Sequence, residues 1–222
     1  MPRLARVIAE SIPHHVTQRG NRRLPTFFQD QDYQTYIDLM SEWCSKRNVE
    51  IWAYCLMPNH IHLIAVPESI DGLRRGIGEA HRRYSRMINF RENWRGHLWQ
   101  GRFASFPMDE TYLLAAARYI EMNPVRANLA PTAEAWKWSS AGAHLAAIDD
   151  KLVKIAPLLE MADDWRLFLS GAEQEEQMND IRTHERTGRP LGSERFVESL
   201  ESVLERPLKR RKPGPEPKTG RG

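Results

Sequence analysis

Residues 54–66 read YCLMPNHIHLIAV, a stretch in which two histidines stand one residue apart inside an apolar run. Apolar residues on either side of the Pro-Asn pair predict a hairpin of two strands, over residues 50–57 and 60–66. On a strand, residues i and i+2 point to the same face, so the imidazoles of His60 and His62 would project side by side. Both could then bind one ion. Because both faces of the second strand are mostly apolar, we expect it to be central and its imidazoles to need partners.

The segments around this hairpin alternate between helical and extended patterns. Strands are expected within residues 7–18 and 97–108, and helices over residues 30–47, 69–89 and 109–123. This order of elements predicts an α+β fold, in which helices pack on an antiparallel sheet as in a ferredoxin-like or RRM-like palm.

The remainder of the chain is interpreted as an extension of that domain. We expect the domain to span residues 1–147 and a helical extension to span residues 148–205, with Ser193 capping its last helix. Residues 206–222 are rich in Pro, Gly and basic side chains, which predicts a disordered tail. The C-terminal residues 188–222 are expected either to add contacts to a ligand or to cover the functional site.

Charge is distributed unevenly along the chain. Its net charge is only +3, but residues 74–103 contain eight arginines against two glutamates, whereas residues 149–180 are acidic. Such segregation indicates an anionic partner at defined places, with nucleic acid the leading candidate.

Several protein classes are disfavoured by composition. Cys44 and Cys55 are the only cysteines and form no CxxC pair, which argues against a zinc ribbon or a disulfide framework. No apolar run approaches the roughly 18 residues of a membrane span, and the N-terminus lacks the apolar stretch of a secretory signal. We therefore expect a cytoplasmic protein without a membrane partner.

The segment ARYIEMNPVRA places two more chemically useful side chains on one helical face. Tyr119 and Asn123 are four residues apart, one turn of helix. The Asn123 amide oxygen could complete a metal site with the two histidines, and Tyr119 would then stand beside the ion. Its unperturbed pKa is about 10, so a nearby cation or base would help to form the phenolate. Taken alone, Tyr119 could equally be a core aromatic residue, and Asn123 could equally be a helix cap.

Four motifs, HHVTQRGNRR, YCLMPNHIHLI, HLWQGRF and ARYIEMNPVRA, occur in this order, and residues 5–145 resemble the REP-associated tyrosine transposases of bacteria. The resemblance implies an antiparallel sheet, a divalent-metal site and a tyrosine nucleophile. By motif position, His60 and His62 would be metal ligands, Asn123 the third ligand, and Tyr119 the nucleophile, with His15 in reserve as a ligand. The donor set suits Mn²⁺, and Mg²⁺ is plausible because the substrate adds phosphate oxygens.

The same resemblance implies a substrate, namely single-stranded or hairpin DNA from repetitive extragenic palindromes. The residues favour it independently, because arginines interleaved with aromatics suit phosphate neutralisation and base stacking. The candidate DNA contacts are Arg19, Arg22, Arg23, Arg82, Arg83, Arg86, Trp99, Arg102 and Arg126.

Three functional hypotheses remain open from the sequence. The first is metal-dependent cleavage and rejoining of DNA through a 5′-phosphotyrosine intermediate, by a monomer or a homodimer. The second is a non-catalytic nucleic-acid-binding protein that keeps the fold. The third is a metal-dependent hydrolase with a water nucleophile, which covalent trapping of DNA on the protein would separate from the first.

Overall fold

A computed structural model describes residues 6–172 and 174–209. The strands of the sheet are β1 (His14–Arg19), β2 (Val49–Met57), β3 (His60–Pro67) and β4 (Ala104–Pro107). Within the described residues the helices are α1 (Asp30–Ser45), α2 (Gly72–Arg75), α3 (Ile77–Arg91), α4 (Glu110–Glu121), α5 (Asn123–Arg126), α6 (Ala141–Ala146), α7 (Ala156–Leu159), α8 (Trp165–Ser170), α9 (Glu175–Thr187) and α10 (Glu194–Val203), and a 3₁₀ turn covers Asn21–Arg23.

The sheet has the strand order β2-β3-β1-β4, and every neighbouring pair is antiparallel. The predicted α+β fold with an antiparallel sheet and packed helices is thus confirmed, and β3 is an inner strand as expected. Pairing of β1 with β3 places Thr17 opposite His62 and His15 opposite Ile64.

Helices cover both faces of the sheet. On one face, Val16 and Leu63 pack in a buried cluster with Met40 of α1 and Tyr84 of α3. On the other face, Ile64 and Phe106 belong to a second buried cluster that includes residues of α4 and α9. The sheet is therefore the middle layer of the domain, which explains why β3 is apolar on both sides.

Two elements differ in extent from the sequence prediction. The helix expected over residues 69–89 is divided into α2 and α3 at Gly76, where ψ is −78°. A side chain there would lie 3.3 Å from the carbonyl oxygen of Trp43 in α1, so the close approach of α1 favours glycine. The strand expected within residues 97–108 is reduced to β4, because Trp99 turns into the core and forms only a single bridge to Gly20.

The C-terminal helices pack onto the domain. The buried Glu121 carboxylate at the end of α4 accepts hydrogen bonds from Ser140 Oγ (2.5 Å) and Trp165 Nε1 (2.8 Å) and lies 2.7 Å from His144 Nδ1. One buried carboxylate therefore joins α4 to α6 and α8, and satisfied groups of this kind hold a single arrangement. The domain boundaries stay a prediction.

The last described helix has the predicted cap. The Ser193 side chain accepts a hydrogen bond from the Phe196 backbone amide at the start of α10. Leu200 of that helix packs against Val7 near the N-terminus. Most of the tail expected over residues 206–222 lies outside the described residues. Within the described residues of the whole chain, no helix combines the length and the apolar character needed to cross a bilayer.

The start of α1 depends on a buried aspartate. Asp32 Oδ2 accepts from the backbone amide of Phe28 (2.9 Å) and from that of Gln29 (3.3 Å), and both carboxylate oxygens pair with Arg91 of α3. Burial by itself would raise the pKa of Asp32, but the hydrogen bonds from Arg91 and the two amides outweigh it, so this pKa is lowered. Asp32 thus caps α1 and ties it to α3.

Asp32→Ala should lower the free energy of unfolding by about 2 kcal/mol, because two amides and a guanidinium lose a charged acceptor. Chemical denaturation measures this. Asp30→Ala is the matched control in the same helical turn. Asp30 forms an exposed pair with Lys137, so its removal should change stability by less than about 0.5 kcal/mol.

Equal losses of unfolding free energy in the two variants would contradict the assigned role of Asp32.

The pH dependence of stability provides a second check on the role of Asp32. Because the folded-state pKa of Asp32 is lowered, its contribution is present above the ordinary aspartate pKa of 3.8 and is lost as the pH falls through the lowered value. The stability difference between wild type and Asp32→Asn should therefore narrow in acid.

Candidate functional site

A polar cavity of about 410 Å³ opens beside the paired strands β1 and β3. The charged and imidazole side chains in its wall come from β1, β3, the segment before β4, and α9. They are Arg19, His60, His62, Arg102, Glu185 and Arg186. Elements far apart in the sequence therefore meet here, and the cavity combines candidate metal ligands with cations that could hold a phosphate.

Strand pairing brings two buried histidines into contact. Because Thr17 is opposite His62, His15 is the diagonal neighbour of His62 on the same face of the sheet. His15 Nε2 and His62 Nδ1 lie 3.0 Å apart. Burial lowers the pKa of His15 to about 3 and lowers that of His62 well below its ordinary value. Both rings are therefore neutral at physiological pH, the form in which imidazole binds metals.

A carboxylate from the C-terminal extension completes this group. Glu185 Oε1 lies 3.5 Å from His62 Nδ1 and 3.8 Å from His15 Nε2. One ligand atom from each of the three residues lies within 4.8 Å of the others. Burial raises the pKa of Glu185 to about 7, although Arg19 and other nearby arginines oppose this. Sequence analysis missed Glu185, because nothing in its local sequence distinguishes it within an acidic helix.

His60 lies beside His62, and their ring centroids are 5.1 Å apart. Its Nδ1 is 2.6 Å from Asn59 Oδ1, while Asn59 Nδ2 donates to the carbonyl oxygen of Arg23 at 2.9 Å. Burial lowers the pKa of His60 to about 4, with a further contribution from the Arg19 charge. Asn59 thus orients the imidazole and holds it against the loop that carries Arg23.

Tyr119 reaches the two histidines from α4. Its ring centroid is 5.5 Å from that of His62 and 6.0 Å from that of His15. Arg126 lies over the ring at 4.5 Å and donates to the Tyr119 carbonyl oxygen. Burial and the Glu185 charge raise the pKa of Tyr119, whereas Arg126 and a hydrogen bond from Arg182 act in the opposite direction.

Asn123 begins α5, one turn after Tyr119. Its side-chain Nδ2 is buried, and no hydrogen-bond partner for it is present in the described part of the chain. The close grouping of His15, His62 and Glu185 does not include His60. The roles of Asn123 and His60 as ligands stay predictions.

The candidate DNA contacts fall into two groups at the surface. Arg19, Arg22, Arg23 and Arg102 are exposed, and Arg19 and Arg102 line the cavity. On α3, Arg82 and Arg83 are exposed but both pair with Glu79, at 2.7 Å and 2.9 Å, and Arg86 is exposed on the same helix. Arg126 is partly buried against Tyr119.

Trp99 requires a correction. Its side chain is only 6% exposed and packs against the rings of Tyr36, His81 and Tyr84. A buried indole offers no face to a nucleobase, so Trp99 is a core residue in this structure. The exposed aromatic rings of this region are instead Phe28, Phe90 and Trp94.

Comparisons with known proteins agree with this architecture. A family model described as "Transposase IS200 like" matches residues 9–123. The solved structure of a REP-associated tyrosine transposase bound to a REP hairpin is 21% identical, with a TM-score of 0.57 over 68% of this chain and 90% of that chain. A putative transposase from Deinococcus radiodurans R1 is 16% identical, with a TM-score of 0.39, covering 58% of this chain and 98% of its own. No curated protein matches.

Proposed function

This chain belongs to the IS200-like transposase family, and we propose that it cleaves and rejoins single-stranded or hairpin DNA through a covalent phosphotyrosine. The observation that carries the proposal is the position of Tyr119, whose ring centroid lies 5.5 Å from that of His62 beside an arginine-lined cavity. A phenol, neutral imidazoles and cations then converge where one phosphodiester could bind. Because the solved structure with this fold is described as bound to a REP hairpin, we propose DNA of repetitive extragenic palindromes as the substrate class.

The proposed metal ligands are His60, His62 and Asn123, with His15 in reserve. Neutral imidazole nitrogens and amide or carboxylate oxygens fit a divalent cation of the Mn²⁺ or Mg²⁺ type. Such an ion would polarise a phosphoryl oxygen when bound. The burial of His62 supports this assignment, since a buried imidazole needs a partner and its lowered pKa keeps it unprotonated.

Tyr119 would supply the nucleophile. Its phenolic oxygen attacks the scissile phosphorus, the bond from phosphorus to the 3′ oxygen breaks, and that departing oxygen takes up the proton lost by the phenol to become a 3′-hydroxyl. The phosphate then stays on Tyr119 as the 5′ ester. Arg126 and Arg182 favour the phenolate against the effect of burial on the Tyr119 pKa. The ester retains the energy of the broken bond, so a 3′-hydroxyl can reverse the reaction without ATP.

The arginines around the cavity would hold the DNA backbone. Arg19, Arg102 and Arg186 line the cavity and are exposed. Phosphate neutralisation by such side chains releases counterions and gives affinity that depends on salt rather than on sequence. Base recognition would require exposed rings, and in the described chain Phe90 (90% exposed) and Trp94 (48%) are available for it.

His60→Ala together with His62→Ala should abolish metal-dependent cleavage of hairpin DNA, because the ion loses two ligands. Gel analysis of the cleaved DNA measures this, and circular dichroism checks the fold. The control is His97→Ala, since His97 is exposed and should leave cleavage unchanged. Normal cleavage by the double variant would exclude these histidines as essential ligands.

Tyr119→Phe removes one oxygen and should eliminate the covalent protein–DNA adduct while folding and DNA binding persist. Denaturing electrophoresis detects the adduct, and peptide mapping of the wild-type complex identifies the attached residue. Tyr112→Phe is the control on the same helix, because Tyr112 donates to Asp180 at 3.0 Å and should keep the adduct. DNA attached to Tyr112, or cleavage without any adduct, would overturn the assignment.

Arg19→Ala with Arg102→Ala should weaken binding of single-stranded DNA and lower the slope of log K against log salt by about 1.4, from two lost phosphate contacts. Fluorescence anisotropy at several salt concentrations measures the slope. Arg166→Ala removes an exposed arginine that is paired with Glu134 at 2.9 Å and should leave the slope unchanged. Equal slopes for wild type and the double variant would exclude these two arginines as phosphate contacts.

A further inference from the structure

Helix α9 places a carboxylate directly at the two buried histidines, and three interatomic distances describe the arrangement. His15 Nε2 and His62 Nδ1 are 3.0 Å apart, and Glu185 Oε1 is 3.8 Å from His15 Nε2 and 3.5 Å from His62 Nδ1. Bonds of about 2.0–2.2 Å to a divalent ion, at angles between the octahedral and the tetrahedral value, separate neighbouring ligand atoms by about 2.8–3.6 Å. The three atoms therefore have nearly the spacing of one face of a coordination shell.

The carboxylate oxygen lacks another partner in the described chain. Glu185 Oε1 is buried and forms no hydrogen bond there, although two imidazole nitrogens face it. A buried carboxylate oxygen left without a donor is costly, and an ion between the three atoms would remove that cost. The two histidines are within hydrogen-bond distance of each other, but the Glu185 oxygen is not satisfied by either of them, so a shared cation better explains its position.

Glu185 is held in place by the packing of α9 against α4. Ile181, one turn before it, is fully buried in the same core cluster as Tyr119. Met178 of the same helix is buried in that cluster as well. Two buried residues therefore fix the middle of α9 against the core, and Glu185, one turn after Ile181, faces the histidines.

We propose that Glu185 is a ligand of the divalent ion, together with His15 and His62, so that the C-terminal extension completes the metal centre. This inference rests on the proposed function and deepens it. The family match ends at residue 123, so Glu185 is a ligand that the matched segment does not contain. His62 belongs to both ligand sets, and a six-coordinate ion has room for His60 and Asn123 as well.

The test measures Mn²⁺ binding to the full chain without DNA, using the electron paramagnetic resonance signal of the free aquo ion. Glu185→Gln keeps the size of the side chain but removes the anionic oxygen, and it should raise the Kd for Mn²⁺ about tenfold or more. Glu175→Gln is the matched control, because it removes the same charge from the exposed first turn of α9 and should leave the Kd unchanged.

His15→Ala should weaken Mn²⁺ binding to a similar extent, and thermal unfolding in EDTA verifies that each variant is folded. An unchanged or lower Kd in Glu185→Gln would overturn the proposal, as would an equal loss in Glu175→Gln.

Failure of this inference is distinguishable from failure of the proposed function. If wild type forms the Tyr119 adduct while Glu185→Gln binds Mn²⁺ normally, only the inference is wrong. If Glu185→Gln loses Mn²⁺ affinity but wild type forms no adduct, the metal site stands and the strand-transfer function falls.

Discussion

The antiparallel pairing of β1 with β3 is the constraint on which the site depends. Thr17 opposite His62 makes His15 a diagonal neighbour of His62, and only this register brings their ring nitrogens to 3.0 Å. A slip of one residue would turn the β1 side chains to the opposite face and separate the two histidines. The alternation in β1 opposes such a slip, since Val16 fills the apolar cluster under α1 and α3 and a slip would put polar side chains such as His15 there.

The two faces of the sheet differ in what packs on them. One face packs against α1 and α3 in an apolar core, where the Asp32–Arg91 pair ties the helices together. The other face receives α4 and α9, which carry Tyr119 and Glu185 to the histidines. The buried Glu121 carboxylate then joins α4 to the chain that follows. Glu185, which lies beyond the family-matched segment, thus contributes to the environment of the tyrosine.

Burial accounts both for the shifted pKa values at the site and for the error over Trp99 in the sequence analysis. It keeps His15 and His62 neutral and raises the pKa of Tyr119, whereas the neighbouring Arg126 and Arg182 act to lower that pKa. Burial also removes Trp99 from the predicted DNA surface. An arginine-rich segment with aromatics has the same composition whether its rings face solvent or the core. For that reason the pattern alone could not separate Trp99 from Trp94.

The sequence by itself determined the order of strands and helices and the side-by-side placement of His60 and His62, as well as the one-turn spacing of Tyr119 and Asn123. These features are local, since they follow from periods of two residues in strands and 3.6 in helices. Only the tertiary structure decided that His15 contacts His62 and that Glu185 lies beside both. Strand register and the docking of α9 on α4 create those contacts, and both depend on the packing of side chains that are distant along the chain.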